Sequence, residues 1–335
     1  MYKILVIGPS WVGDTVLAQP LFKRLHERHA GLELDVLAPL WTLPLLRRMP
    51  EVSRVLPSPF GHGQLKLRQR WRQARELRTH GYDQAIVLPN SFKSALIPRF
   101  AGIRLRTGYI GEARQLLLND ARRLDRHALP LMAERFAHLA DSHGESLSRP
   151  LPPASLSVSS ADRDALLARL RLRAQPRVAC LCPGAEYGPA KRWPPEHFAA
   201  LAERLVERGF QVWLIGSPKD RDIGEQIERL SHGCCRNLCG STSLEEAVDL
   251  LSLAHVVVSN DSGLMHVAAA LDRPLLALYG SSSPAFTPPL SARAQVIKLD
   301  LACSPCFARE CPLGHFKCMR DLEPDRVLEH LARIG

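Results

Sequence analysis

Asn260-Asp-Ser-Gly-Leu-Met-His-Val-Ala-Ala-Ala-Leu271 lies between two short apolar runs, 255–259 and 275–279. The pattern reads as strand, tight polar turn, helix, strand, the repeating unit of a parallel sheet. Asp261, Ser262 and Gly263 fall where the helix begins. Free backbone N–H groups and the positive end of the helix dipole therefore face the mouth of the turn, where a phosphate could sit. His266 follows on the first turns. Taken alone, the stretch fits an ordinary helix N-cap with a packing glycine and a satisfied histidine equally well.

Outward from it, the second half of the chain repeats the pattern. A strand over 177–182 leads into Pro183-Gly-Ala-Glu-Tyr-Gly-Pro-Ala-Lys-Arg-Trp-Pro194, a long loop before a helix over 195–208. A strand over 211–216 follows, then Ser217-Pro-Lys-Asp220 opening another helix, a strand over 237–242 and a helix over 243–254. The long loop offers Lys191 and Arg192 beside glycine-permitted turns, which is a grip for a diphosphate or simply a solvated basic loop. Gly240-Ser241-Thr242 and the Asn260 to Gly263 turn sit on the same carboxyl edge, so the three are expected to converge on one nucleotide. Gly280-Ser-Ser-Ser-Pro284 makes a fourth turn.

The first half alternates in the same way. A run over 3–8 without polar alternation reads as a parallel strand covered on both faces, and Gly13-Asp14 opens a helix through 25. The intervening Gly8-Pro-Ser-Trp-Val-Gly-Asp14 is not the Gly-x-Gly-x-x-Gly of a dinucleotide fold and lacks a Walker lysine, which argues against a nicotinamide dehydrogenase. Asp14 falls at the carboxyl end of the first strand, beside a helix N-terminus that favours its charged form. It suits a general base, or merely complements the dipole. A strand over 32–38, a helix over 41–49 and an extended piece at 54–56 follow.

After Gly61-His-Gly63 comes a basic helical segment to residue 80, with Lys66, Arg68, Arg70, Arg72, Arg75 and Arg78 around Trp71. It is a solvated face, or it meets an anionic membrane or a phosphorylated acceptor. A strand over 84–88 ends in Pro89-Asn-Ser-Phe-Lys-Ser94 before a helix to 101 and a strand over 104–109. Arg122, Arg123, Arg126 and His127 then precede a helical run over 130–141. The Ser- and Pro-rich stretch 146–160 reads as an interdomain linker, with Ser159 or Ser160 capping a helix to 172 and the boundary near 155.

Composition agrees with a folded chain of two domains, since 335 residues exceed the usual domain size of ~100–150. No stretch approaches the ~20 apolar residues of a membrane span, and residues 1–8 are too short and strand-like for a signal peptide, so the chain is expected in the cytosol. The net charge of +10 calls for an anionic partner. Only 6% of residues are aromatic, and no helix-turn-helix, RNP or zinc-finger pattern occurs, so nucleic acid is not the expected one. The nine cysteines are expected to be mainly reduced. Cys303, Cys306, Cys311 and Cys318 form a C-x₂-C-x₄-C-x₆-C series, with His315 nearby. It reads either as thiols packed under a loop or as a zinc site, and the first is preferred.

Together, Gly13-Asp14 after the first strand, the 183–194 loop, Asn260-Asp-Ser-Gly-Leu-Met-His266 and the cysteine-rich end resemble the ADP-heptose:lipopolysaccharide heptosyltransferase family, and within it the heptosyltransferase II branch. The likeness runs through nearly the whole chain. It implies an α/β protein of GT-B architecture, with two Rossmann-like parallel-sheet domains facing a central cleft. Residues 1–155 would bind the acceptor and 156–335 the nucleotide sugar. The reaction implied is inverting transfer of heptose from ADP-L-glycero-D-manno-heptose to the first heptose of the inner core. Alternatives are transfer to another inner-core acceptor, as by heptosyltransferases I or III, and a nucleotide-sugar epimerase.

By the same resemblance Asp14 is the catalytic aspartate, Lys191 the diphosphate lysine, and Asp261, Ser262, Gly263 and His266 the donor turn; Gly240, Ser241 and Thr242 are expected donor contacts from their place on the same sheet edge. Family members carry hydroxyl side chains a few residues before the lysine, whereas Glu186 and Tyr187 stand there in this chain. Tyr187 could still donate to phosphate from its hydroxyl, and Glu186 suits a sugar hydroxyl or the adenosine. Gly13, Asn90, Ser91, Lys93, Arg122 and Arg123 are the expected acceptor contacts. The acceptor is a phosphorylated lipid A, Kdo and heptose intermediate, met peripherally at the cytoplasmic face of the inner membrane. No cofactor is implied. Metal-independent transfer is expected, with Lys191 and the helix start at Ser262 and Gly263 supplying the positive charge the leaving diphosphate needs.

Overall fold

The computed structural model describes residues 1–61, 64–174 and 177–333. His62 and Gly63 of the expected basic segment lie outside the described residues. The chain divides into two compact units, Met1–Pro153 and Ala154–Gly335.

The first unit holds β1 (Lys3–Ile7), β2 (Glu33–Pro39), β3 (Arg54–Ser58), β4 (Gln84–Val87), β5 (Leu105–Tyr109) and β6 (Asp120–Arg122), in the order β3-β2-β1-β4-β5-β6. The second holds β7 (Val178–Cys182), β8 (Gln211–Leu214), β9 (Cys235–Asn237), β10 (Val256–Asn260), β11 (Leu275–Tyr279) and β12 (Ala294–Lys298). Its order, β12-β11-β10-β7-β8-β9, is the same topology read from the other edge. Every pairing is parallel. Helices cover both faces of such sheets, so the central strands are apolar throughout instead of alternating. Each buried Val or Leu contributes ~1.5–3 kcal/mol over exposure. Val257, fully buried in β10, is a position where a charged residue would break the second unit.

Both sheets reverse their strand order once, between β1 and β4 and between β7 and β10. Open parallel sheets bind ligands at the carboxyl ends of the strands flanking such a reversal. Asp14 follows β1, Asn90 and Ser91 follow β4, Lys191 follows β7 and Asp261 follows β10.

Several expectations are corrected. The helix expected to run to 25 is two segments, Val12–Leu17 and Gln19–Arg28, because Pro20 near the start of the second has no N–H for the preceding turn. The expected helix over 41–49 is a 3₁₀ turn, Leu40–Thr42, and one helical turn, Leu43–Leu46. The strand expected over 237–242 is β9, which ends at Asn237. Strands β6 and β12 were not foreseen. All three are short or half-buried edge strands, where docking onto a neighbour decides the conformation more than apolar pattern does.

The 146–160 stretch is fastened on both sides of the divide. Lys23 Nζ donates to Pro153 O at 2.6 Å and Arg24 to Ser148 O at 3.0 Å. In the second unit Leu156 N donates to Ala270 O at 3.3 Å. Ser159 Oγ caps the helix Ser160–Leu170 by accepting from Asp162 N. Among the described residues no helix is long and apolar enough to cross a membrane.

Candidate active site

Beside the reversal of the second sheet, Ser259 of β10 lies across from Cys182 of β7, so the carboxyl ends of the two strands open side by side. Asn260 is fully buried. Its Nδ2 donates to Pro183 O at 2.7 Å and its Oδ1 accepts from Trp193 N at 3.1 Å. One side chain thus ties both ends of the 183–194 loop to β10. An apolar residue there would strand a buried carbonyl and a buried N–H, costing about 1–3 kcal/mol for each. Trp193 secures the far end by donating from Nε1 to Leu322 O at 2.6 Å. The sequence reading passed over Asn260 and Trp193 as site residues. The available signal was an amide ending an apolar strand, where burial obliges it to find partners.

On the loop so held, Lys191 Nζ lies 2.6 Å from Asp261 Oδ2, a pair with side chains 18% and 4% exposed. Lys191 also sits over the Tyr187 ring, 5.2 Å from its centroid. An ammonium has three N–H donors, and Asp261 engages one of them. Asp261 thus fixes the position of the Lys191 ammonium. Tyr187 departs from expectation in another way: its hydroxyl donates to Phe307 O at 2.9 Å, so what it presents to Lys191 is its ring. Arg192 reaches back to Ala185 O at 3.5 Å.

The neighbouring turns are knit to this loop. A Cβ on Gly184 would lie 2.5 Å from the Asp220 carboxylate, which itself accepts from Ser217 N and Oγ at 2.9 and 2.7 Å. Glu186 pairs with Lys219 at 2.5 Å, both exposed. Gly240, with φ +74°, donates from N to Gly216 O at 3.0 Å, and a Cβ there would meet Pro218 Cα at 2.9 Å. Ser241 is exposed, and the half-buried Thr242 Oγ1 has no bonding partner among the described residues. This turn follows β9, at the sheet edge two strands from β7, and touches the turn after β8.

The helix Gly263–Ala270 starts after Ser262, whose side chain makes no capping bond. Its first N–H groups have no partner within the helix and are available to an anion. His266, 4% exposed, stands one turn in, with Nδ1 unpartnered among the described residues. Burial lowers its pKa to about 4; Asp261 opposes this and Lys191 adds to it. The imidazole is neutral at pH 7. Ser281 and Ser282 after β11 also bury hydroxyls with no partner among the described residues.

The unfolded chain takes up a proton at His266 near pH 6.5, and the folded chain only near 4. Stability from this group is therefore full above 6.5 and lost as pH falls toward 4. Equilibrium denaturation at about pH 4.5 should show a loss on the order of 2–3 kcal/mol relative to pH 7 from this residue. His266→Gln should remove that part of the slope, and an identical slope in the variant would reject the assignment.

In the first unit Asp14 is the third residue of the helix Val12–Leu17, half-buried, with Gly13 before it. The turn ahead of it is braced by Thr15 Oγ1 donating to Trp11 O at 2.9 Å and Trp41 Nε1 donating to Ser10 O at 2.8 Å. After β4, Asn90 Oδ1 accepts from Arg114 Nη2 at 2.8 Å. Arg114 is fully buried and also donates to Pro89 O and Tyr109 O, and burial lowers its pKa to about 10. Asn90 is thus partly committed to shaping the loop. Ser91 precedes the helix Phe92–Phe100 without a side-chain cap, and Lys93 is half-buried there.

Two expected anion contacts are corrected. Arg122, 5% exposed, bonds Asp120 at 2.7 Å and His138 O at 2.9 Å. Arg70, also 5% exposed, donates to Leu65 O, Lys93 O and Gln64 O and stacks on Phe60. Both guanidiniums serve the fold. Arg123 and Arg126 are exposed, as are Lys66, Arg68, Arg72 and Arg75 on or beside the helix Leu67–Arg78.

All nine cysteines are free thiols. Backbone N–H groups, Phe316 foremost, lower the pKa of Cys311, while burial and then the other three thiols raise that of Cys318. Among the described residues no three His, Cys, Asp or Glu side chains are grouped to hold a metal ion. The loop is fastened to the turn after β11, with Ser304 Oγ donating to Gly280 O at 2.6 Å and Phe307 N to Ser281 O at 2.6 Å.

Comparison with known proteins adds three findings. A family model described as glycosyltransferase family 9 (heptosyltransferase) matches residues 70–317. The lipopolysaccharide heptosyltransferase 2 proteins of Salmonella typhimurium and Escherichia coli K12 are 49% and 48% identical to this chain, each match covering 99% of it and 98% of the relative. The solved structure of the E. coli ADP-heptose lps heptosyltransferase II superposes with a TM-score of 0.89 at 46% identity, covering 99% and 98% of the two chains.

Proposed function

The chain belongs to glycosyltransferase family 9, the heptosyltransferases, and from that membership we propose that it moves heptose from ADP-L-glycero-D-manno-heptose to the first heptose of the lipopolysaccharide inner core. The observation that carries the reading is the Lys191–Asp261 pair at the strand reversal of the second unit, in a chain similar end to end to lipopolysaccharide heptosyltransferase 2 proteins.

In this reading the second unit binds the donor. Lys191 and the N-terminus of the helix Gly263–Ala270 meet the diphosphate, with Asp261 holding the lysine in place before the substrate arrives. Positive charge fixed in advance stabilises the departing diphosphate more than the intact donor, because charge grows on it as the glycosidic bond breaks. These groups supply that charge without a divalent cation. The neutral His266 underlies the turn. In the first unit, which binds the acceptor, Asp14 takes the proton of the attacking hydroxyl, since an alcohol is a poor nucleophile at neutral pH.

Transfer assays with ADP-heptose against acceptors carrying zero, one or two heptoses, read by product mass, test the reading. A product only from the one-heptose acceptor is expected. A product from another acceptor would reassign the reaction within the family, and isomerisation of ADP-heptose alone would indicate an epimerase.

The acceptor is phosphorylated and lipid-linked, and the exposed arc of the helix Leu67–Arg78 suits it. Arg68, Arg72 and Arg75 surround Trp71, 51% exposed, with Arg75 over its ring, on the side opposite the buried Ala74 and Leu77. An interfacial Trp among cations is the chemistry of peripheral contact with an anionic membrane face. Neutralising Arg68, Arg72 and Arg75 together should raise the acceptor KM about tenfold or more at low salt, given ~1 kcal/mol per basic residue near such a surface. High salt should shrink the effect, and the donor KM should not move. A change confined to the donor would contradict it.

A further inference from the structure

We propose that Arg309, on the cysteine-rich loop between β12 and the helix Lys317–Arg320, is a second cation of the donor diphosphate subsite. The proposal rests on the reading of the 183–194 loop as the diphosphate grip, and it assigns part of that grip to a segment 118 positions beyond Lys191 in the sequence.

The two loops are joined backbone to backbone. Ala190 N donates to Arg309 O at 3.0 Å. A Cβ on Gly188 would lie 2.4 Å from that same carbonyl oxygen, so only glycine lets the chains approach this closely. Tyr187 Oη donates to Phe307 O at 2.9 Å. Residues 307 and 309 are therefore placed by the loop that carries Lys191, and the Arg309 side chain is left to do something else.

What it does is face the ring of Tyr187. The Arg309 guanidinium carbon lies 5.2 Å from the ring centroid, and Lys191 Nζ lies 5.2 Å from the same centroid. The two cations can be no farther apart than twice that distance. Lys191 is balanced by Asp261, whereas no carboxylate pairs with Arg309 among the described residues. Two cations gathered on one ring, with one of them unbalanced, repel each other until an anion bridges them.

A diphosphate is such an anion. It carries charge on both phosphates, and a single lysine already shared with a carboxylate answers only part of it. The guanidinium fork binds two oxygens of one phosphate at once, which a point-charge ammonium cannot do. Tyr187 then acts as the spacer between a lysine and an arginine that grip one diphosphate. This also accounts for an aromatic residue where the resemblance leads one to expect a hydroxyl.

Isothermal titration of the full chain with ADP and, separately, with adenosine tests the proposal, using wild type, Arg309→Ala, Arg309→Lys and Lys191→Ala. Arg309→Ala should weaken ADP binding about tenfold or more, the loss of a hydrogen bond to a charged group. Adenosine affinity should stay within about twofold on the same argument. Arg309→Lys should recover part of the loss. Thermal unfolding should be unchanged, because the Ala190 bond uses the main-chain carbonyl that every variant keeps. Wild-type ADP affinity in Arg309→Ala, with loss in Lys191→Ala, would overturn the proposal and leave the donor site standing. Equal weakening of ADP and adenosine would overturn it as a loop-folding effect. Failure of the wild type to bind ADP would remove the donor reading itself.

Discussion

Replacing Asp14 by Asn is expected to lower turnover by roughly two or more powers of ten, the usual contribution of a general base being ~10²–10⁴-fold. Asn has nearly the same shape, keeps a polar side chain in the first turn of the helix Val12–Leu17, and cannot take up a proton. The braces of the turn, from Thr15 to Trp11 and from Trp41 to Ser10, do not involve the substituted atoms. Thermal unfolding measured beside the kinetics separates loss of the base from loss of the fold. Because the groups assigned to the donor belong to the second unit, ADP-heptose affinity should be nearly intact, so kcat falls while the donor Kd stays. Steady-state kinetics beside direct donor titration would show this split, and near-normal turnover in Asp14→Asn would remove Asp14 from the mechanism.

Lys191→Ala should damage both binding and rate. The diphosphate is charged in the ground state and gains charge in the transition state, so donor KM should rise and kcat should fall as well, the latter by about 10²-fold if Lys191 behaves like an oxyanion-stabilising donor. A second cost comes from Asp261, whose side chain is only 4% exposed. Without the lysine, a buried carboxylate faces the incoming phosphate with nothing to balance it. Adding Asp261→Asn to Lys191→Ala should therefore restore part of the donor affinity, whereas Asp261→Asn alone should weaken it by loosening Lys191. Such non-additivity is the signature of a pair acting as one unit. An unchanged donor KM and kcat in Lys191→Ala would reject the assignment.

The architecture was legible because it rests on local signals. Apolar runs such as 3–8, 178–182 and 275–279 mark covered parallel strands wherever they occur, and the capping residues and glycines between them mark the turns. The Asp261-Ser262-Gly263 helix start, the 183–194 loop and the cysteine-rich end pointed to the family that the comparisons show. The edge strands β6 and β12 escaped. In β6, Asp-Ala-Arg is too short to hold a pattern, and in β12 the strand is half-exposed, so both take shape from the neighbour they join.

The side chains were read less well, for a reason that is physical. A basic residue in a sequence carries the same charge whether it faces solvent or a carbonyl, and Arg70, Arg114 and Arg122 turn out to be buried braces. Only packing separates them from the exposed Arg68, Arg72 and Arg123.

From the sequence alone followed the alternation of strands and helices, two parallel sheets, the family, and the residue types a diphosphate and an attacking hydroxyl require. The tertiary structure decided which of those residues meet. Lys191 finds Asp261 70 positions away, Asn260 gathers Pro183 and Trp193, and Tyr187 reaches Phe307 across 120 positions. Period and capping act over a few residues, whereas the adjacency of strand ends is set by sheet order. In each unit that order places the first and fourth strands side by side.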